Sequence, residues 1–213
     1  MSSSASAGSS PSQKLSDDAD ALHQLGLASF RDGALELACE QLDRALNAAP
    51  ERADIWEHRG LLAALRGDRI AAEAFYYRAL GISGGSASLH RNLADCLKVS
   101  ARLGEARRHY LTALSFEPTL HHAVCALAEI CTQRGQHAEA ADLWLRAWAL
   151  DASNVADASA LIAALSKAQR DPELDTLLPA LRARCSADAT ALRQLAFALN
   201  SAQRFADALS VAR

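Results

Sequence analysis

Three residues on one predicted helix face carry side chains suited to chemistry: His122, Cys125 and Glu129. Spacings of three and four put an imidazole, a thiol and a carboxylate on the same side of a helix, and these are ligand types that zinc uses. Three ligands of mixed type with no fourth nearby make a weak metal motif, so ordinary polar lining is the expected role and no metal site is expected. His121, next to His122, points away from it on a helix and adds little. The stretch Gly81-Ile82-Ser83-Gly84-Gly85-Ser86 leads into a helix start whose amides could hold an anion. A phosphate loop follows a strand, however, and this stretch follows a helix, so a helix stop and turn is expected. The sequence contains no Ser/His/Asp set, no paired-carboxylate cleft and no nucleotide fingerprint. No catalytic residue, no cofactor and no enzyme activity are therefore expected within it.

Helices must carry these side chains, because the chain keeps a helical clock. Alanine recurs every thirty-four residues at Ala38, Ala72, Ala106, Ala140 and, after Leu174, Ala208. A second column holds Ala45, Ala79, Ala113 and Ala147, and a third holds Gly26, Gly60, Ala94, Ala128 and Ala196. A stack of helical hairpins needs small residues at the same place in every unit, where helices cross most closely. The first helix of each unit carries leucine at its seventh place, as Leu25, Leu93, Leu127, Leu161 and Leu195. A break often containing glycine follows, at Gly33, Gly67, Gly104 and Gly135. Four residues past the alanine of the second helix stands a bulky side chain: Leu42, Tyr76, Tyr110, Trp144 or Leu178. That helix stops at Pro50, Gly84 or Pro118, and less clearly at Ala152 and Ser186.

Composition agrees with a helical, non-enzymatic reading. Apolar residues make up 50% of the 213 and aromatics only 5%, so the core is mostly Ala and Leu, which favours helix over sheet. The formal charge of −3, with both signs interspersed, argues against nucleic acid as a partner and offers no polybasic patch to a membrane. No apolar run is long enough to span a bilayer, and residues 1–16 lack the basic and apolar regions of a secretory signal. Cys39, Cys96, Cys125, Cys131 and Cys185 are odd in number and form no CxxC pair; they read as buried free thiols in a cytoplasmic protein.

The spacing, and the stretch Trp56-x-x-Arg59-Gly60 … Ala72-x-x-x-Tyr76-x-x-Ala79-Leu80, resemble the tetratricopeptide repeat (TPR). So do Leu25-Gly26 … Ala38 … Ala45-Leu46 … Pro50 and Ala106-x-x-x-Tyr110-x-x-Ala113-Leu114 … Pro118. The resemblance implies an all-α, right-handed α-solenoid of about six antiparallel helix-turn-helix repeats. Its units fall near 19–52, 53–86, 87–120, 121–154, a degenerate 155–188 and a partial 189–213, within one superhelical domain at 17–213. The Ser-rich residues 1–16 are expected to be a disordered tail, with Asp17 or Asp18 capping the first helix.

The resemblance also implies a concave wall built from the second, fifth, ninth and twelfth places of each unit. The wall begins acidic, becomes mixed in the third and fourth units, and turns small and neutral in the fifth at Ala156, Ser159, Ala163 and Ser166. A protein or peptide ligand is the expected partner. The expected contacts are Glu57, Arg91, Asn92, Asp95, Lys98, His122 and Glu129. The carboxylate clamp of some family members needs Lys and Asn where this chain has His23 and Leu27, and an asparagine ladder finds only Asn92.

Departures from the repeat mark two further places. Arg59 stands where leucine is usual. The fifth unit has Ile162, Leu174 and Leu181 in place of small residues, and Pro179 inside its second helix, which is expected to kink or split near Leu178. Asp171-Pro172 reads as a cap and first position for that helix. The half-made sixth unit leaves two expectations open. One is a longer protein, such as a bacterial transferase for which this array presents substrates. The other is self-association through an open C-terminal end.

Overall fold

A computed structural model describes residues 11–151, 154–186 and 188–211. Among these residues there are twelve α-helices and no strand. They are α1 (Pro11–Arg31), α2 (Leu35–Ala48), α3 (Ala53–Leu65), α4 (Arg69–Ser83), α5 (Ala87–Val99), α6 (Leu103–Phe116), α7 (His121–Gln133), α8 (His137–Leu150), α9 (Val155–Lys167), α10 (Asp171–Cys185), α11 (Ala189–Ser201) and α12 (Phe205–Val211). The chain divides into two compact units, 1–109 and 110–213, with the boundary inside α6.

In the first unit α1 packs on α2, α2 on α3, α3 on α4 and α4 on α5. Ala38, Ala45, Ala72 and Ala79 are fully buried, and Leu42 and Tyr76 plug the space beside them. The glycine column shows why the fit is close. A Cβ on Gly60 would stand 2.6 Å from the Tyr76 ring, and one on Gly26 would stand 2.8 Å from Leu42. The bulky side chain therefore occupies the volume that the glycine leaves empty. Leu25, in the first hairpin, is 53% exposed, whereas Leu93 is fully buried at the same place two units on. No earlier hairpin lies among the described residues to cover it. Arg59 fills that place in the second hairpin by pairing with Asp43 at 2.7 Å and laying its guanidinium 4.9 Å above the Phe75 ring.

In the second unit α7 packs on α8, α8 on α9, α11 on α9 and α12, and α10 on both α9 and α11. Ala140, Ala147, Leu127 and Leu161 are buried as their columns require, and Trp144 and Trp148 are buried with them. The fifth hairpin departs from the pattern. Leu174 and Leu181 are fully buried where small residues stand elsewhere, while Leu178, in the bulky column, is only half-buried.

Several expectations need correction. α1 begins at Pro11, ahead of the expected start at Asp17, so the tail boundary at residue 16 falls inside a helix. Pro is favourable in a first turn and no breaker follows it before Asp17, so the helix extends upstream. Residues 1–10, and Ala152 as a breaker, lie outside the described residues. α10 is not split at Leu178: it runs unbroken through Pro179, whose ring is exposed rather than packed in the core, so the helix gives up one backbone hydrogen bond there without breaking. Its cap is Arg170, and Asp171 is the first helical residue.

The break between helices has a rule that Gly104 obscured. Left-handed backbone recurs every thirty-four residues, at Gly33, Gly67, Ala101, Gly135, Gln169 and Gln203. Gly104 is inside α6. Where the left-handed residue is not glycine, arginine follows it. Arg102 pairs with Glu105 at 2.7 Å and with Glu73 at 2.6 Å. Arg170 pairs with Glu173 and Asp142, each at 2.6 Å. Arg204 pairs with Asp207 at 2.6 Å and with Asp175. Each guanidinium thus grips its own second helix and the second helix of the hairpin before.

Candidate functional site

Five of the expected contact residues lie on α3 and α5 in the first unit. Ser86 caps α5 by accepting the Leu89 amide at 3.1 Å, which orients the helix. Gly81–Ser86 is therefore the end of α4, a left-handed cap at Gly84 and the start of α5; the Gly85 amide already donates to Ser83 Oγ at 3.1 Å. Asn92 is buried, and its Nδ2 donates to Glu57 Oε1 at 3.2 Å, joining successive first helices. Arg91 pairs with Asp95 one turn on, at 3.5 Å. Arg91, Asn92 and Asp95 border a cavity of about 340 Å³ whose far side includes Arg69 and Tyr76. Lys98 follows in the last turn of α5, half-buried.

The other two, His122 and Glu129, are exposed on α7 in the second unit. The His122 and Tyr110 rings meet edge to face, with centroids 6.4 Å apart. His121, contrary to the expectation that it adds little, meets Cys125: one full helical turn separates the two, whereas His122 is three residues away and on the exposed side. His121 Nε2 lies 2.6 Å from Asp157 Oδ2 and 3.5 Å from Cys125 Sγ, and the thiol lies 3.7 Å from both Asp157 oxygens. Asp157 is 5% exposed in the first turn of α9, held there because Asn154 caps the helix through the Ala156 and Asp157 amides.

Cysteine, histidine and aspartate also make up a nucleophilic triad, but this geometry opposes that use. A relay puts the two partners on opposite ring nitrogens, whereas Cys125 Sγ lies closer to Nε2 (3.5 Å), the nitrogen that faces Asp157, than to Nδ1 (3.8 Å), and it also reaches the Asp157 carboxylate directly. Burial, then the neighbouring Asp157 carboxylate, pushes the Cys125 thiol up to about 12, away from thiolate.

Sequence reasoning did not single out a further cavity in the second unit. It holds about 760 Å³ between α9 and α11. Its floor is the small, neutral set Ala156, Ser159, Ala163 and Ser166, and Lys167, Arg193 and Phe197 stand around it. Phe197 is 73% exposed. Extending the second, fifth and ninth places into the sixth unit lands on Thr190, Arg193 and Phe197, so the repeat register carried the signal.

No protein-family profile matches the chain, and no curated protein does. Solved structures do. Pseudomonas aeruginosa pilF aligns with 93% of this chain and 90% of its own at 20% identity, with a TM-score of 0.72. YrrB, described as a TPR protein with an unusual peptide-binding site, aligns over 94% of this chain and 97% of its own at 15% identity, with a TM-score of 0.65. The first TPR domain of Spaghetti (RPAP3), bound to the HSP90 peptide SRMEEVD, covers 55% of this chain and 94% of its own at 19% identity, with a TM-score of 0.54.

The fold is that of the tetratricopeptide repeat.

At these identities the likeness is one of fold. The chain is an all-α solenoid of TPR-type helix-turn-helix units. No described helix of this TPR chain is long and apolar enough to cross a membrane.

Proposed function

We propose that the chain is a non-catalytic scaffold whose first-helix faces hold a segment of a partner protein. The observation that carries this reading is the α9/α11 cavity: small residues floor it, an aromatic ring stands open at its edge, and two cations flank it. Such a site suits a bulky apolar side chain followed by acidic residues. In the first unit the cavity beside Arg91, Asn92 and Asp95 offers a second, mixed-charge contact, with Glu57 and Lys98 on the same helices. His122 and Glu129, exposed on α7, complete the proposed contact set. The HSP90 peptide bound to the first RPAP3 TPR domain and the peptide-binding site of YrrB support the reading by kind of ligand alone.

Selection from a displayed random-peptide library tests it. Enriched peptides are expected to pair an aromatic or branched apolar residue with Asp or Glu. Arg193→Glu with Phe197→Ala is expected to weaken them by roughly tenfold or more, since exposed aromatic and Arg anchors dominate such contacts. Arg91→Glu with Lys98→Glu is expected to weaken partner binding through the first unit, with helix content unchanged. Undiminished affinity in both variants would sink the proposal.

A further inference from the structure

We propose that His121, Cys125 and Asp157 form a zinc-type metal site with an exchangeable fourth position opening into the cavity between α7 and α9. The ligand atoms belong to the three classes zinc accepts, and they all lie within 4.8 Å of one another. Bond lengths of about 2.0 Å to nitrogen and oxygen and 2.3 Å to sulfur imply tetrahedral edges of about 3.5 Å from sulfur to either lighter atom. The thiol already sits 3.5 Å from His121 Nε2 and 3.7 Å from the Asp157 oxygens. Only the 2.6 Å contact between Nε2 and Oδ2 must open, by less than roughly 1 Å, to reach the tetrahedral edge.

The surroundings favour an open site over a closed one. A cavity of about 410 Å³ meets the cluster and is lined by Cys125, Asp157, Glu129, Trp144 and Lys167. Water or a carboxylate from outside the chain fits there as the fourth ligand. The buried carboxylate and the thiol both favour a cation between them. Magnesium and calcium prefer all-oxygen shells, so thiol and imidazole select a softer ion. The proton balance is explicit. The cation takes the sulfur lone pair while the Cys125 proton leaves to solvent, and it takes the Nε2 lone pair while Nδ1 keeps the ring proton, so at least one proton is released per ion. The bound ion would join the first helices of successive hairpins.

The test uses the untagged chain stripped with chelator and titrated with Zn²⁺ and, separately, with Co²⁺. One ion per chain is expected, with a thiolate-to-cobalt charge-transfer band and an affinity that rises with pH as the ligands give up protons. Cys125→Ser and Asp157→Asn are each expected to lower affinity by more than about tenfold and to remove or shift the band, with the helical circular-dichroism signal retained. His122→Gln is expected to change neither, since that ring faces Tyr110. Absence of stoichiometric binding to the wild-type chain overturns the proposal. So does full uptake by the Cys125→Ser, Asp157→Asn double variant, which would place the ion elsewhere.

Discussion

Two pairs of histidines sit in the first unit as proton-sensitive contacts. His90 Nδ1 and His109 Nδ1 are 3.0 Å apart with their rings stacked, and His23 Nε2 lies 3.1 Å from His58 Nδ1. Burial holds His90, His109 and His23 below their ordinary value; for His109 the neighbouring His90 and Arg108 act in the same direction, against Glu105. Around His23, Asp54 and Asp20 oppose the shift, while His58 and Arg52 reinforce it. A folded pKa below the unfolded one means that the unfolded chain binds more protons, so stability is full above pH 6.5 and falls as pH drops from there toward the folded values. Thermal melts from pH 7.5 to pH 5 are expected to show this loss, and His109→Gln to flatten it. An equal slope in the variant would count against the His90–His109 pair as a source. Single residues were also where the sequence misled. His122 and Glu129 share a predicted face with Cys125, but periodicity does not say which neighbour faces the gap between hairpins. Asp157, thirty-six residues past His121, enters the cluster only through packing.

At the scale of the helix, much was legible because the code is steric. Alanine marks each closest crossing, and the Gly60–Tyr76 pair shows the same rule with one atom moved across the interface. The left-handed column was only partly legible, since three of its six members are not glycine. Ala101 holds φ 58° there, a conformation that costs an L-residue roughly 1 kcal/mol or more and glycine little. Ala101→Gly is therefore expected to stabilise the chain by about 0.5–1 kcal/mol in urea denaturation, despite the usual penalty of added glycine. A loss of stability would mean that the Arg102 pairing depends on alanine before it. α10 should be the least protected of the long helices. Pro179 removes one amide, and a small cavity of about 190 Å³ borders Leu178 and Pro179. Amide exchange across 180–184 is expected to exceed that of α7, and equal protection would refute the weakness.

For the molecule as a whole, repetition explains both what the sequence disclosed and what it withheld. Each hairpin is read from its neighbours, so the class of fold follows from a handful of columns. Where no neighbouring hairpin lies among the described residues, the columns lose meaning: Leu25 has the residue type of a core position and stands 53% exposed. Division into two compact units was not visible, because the alanine interval passes through residue 109 without a break. Tryptophan can follow each unit separately, since Trp56 is in the first and Trp144 and Trp148 are in the second. Chains reporting from Trp56 alone, and from Trp144 and Trp148 alone, are expected to give different urea midpoints, the second unit's being lower on account of α10. Coincident midpoints would show one cooperative block.

The cysteines carry a last consequence. Cys39, Cys96, Cys131 and Cys185 are buried, and Cys125 is half-buried and kept protonated by its surroundings. Attack by peroxide or by a thiol-alkylating reagent requires a reachable thiolate, and the folded chain presents very little of one. The folded chain is therefore expected to resist cross-linking in an oxidising environment, which non-reducing electrophoresis after peroxide treatment checks. The number of thiols is a poor guide to the redox setting in which the chain works, and their reactivity becomes a sensitive gauge of whether its hairpins are still closed.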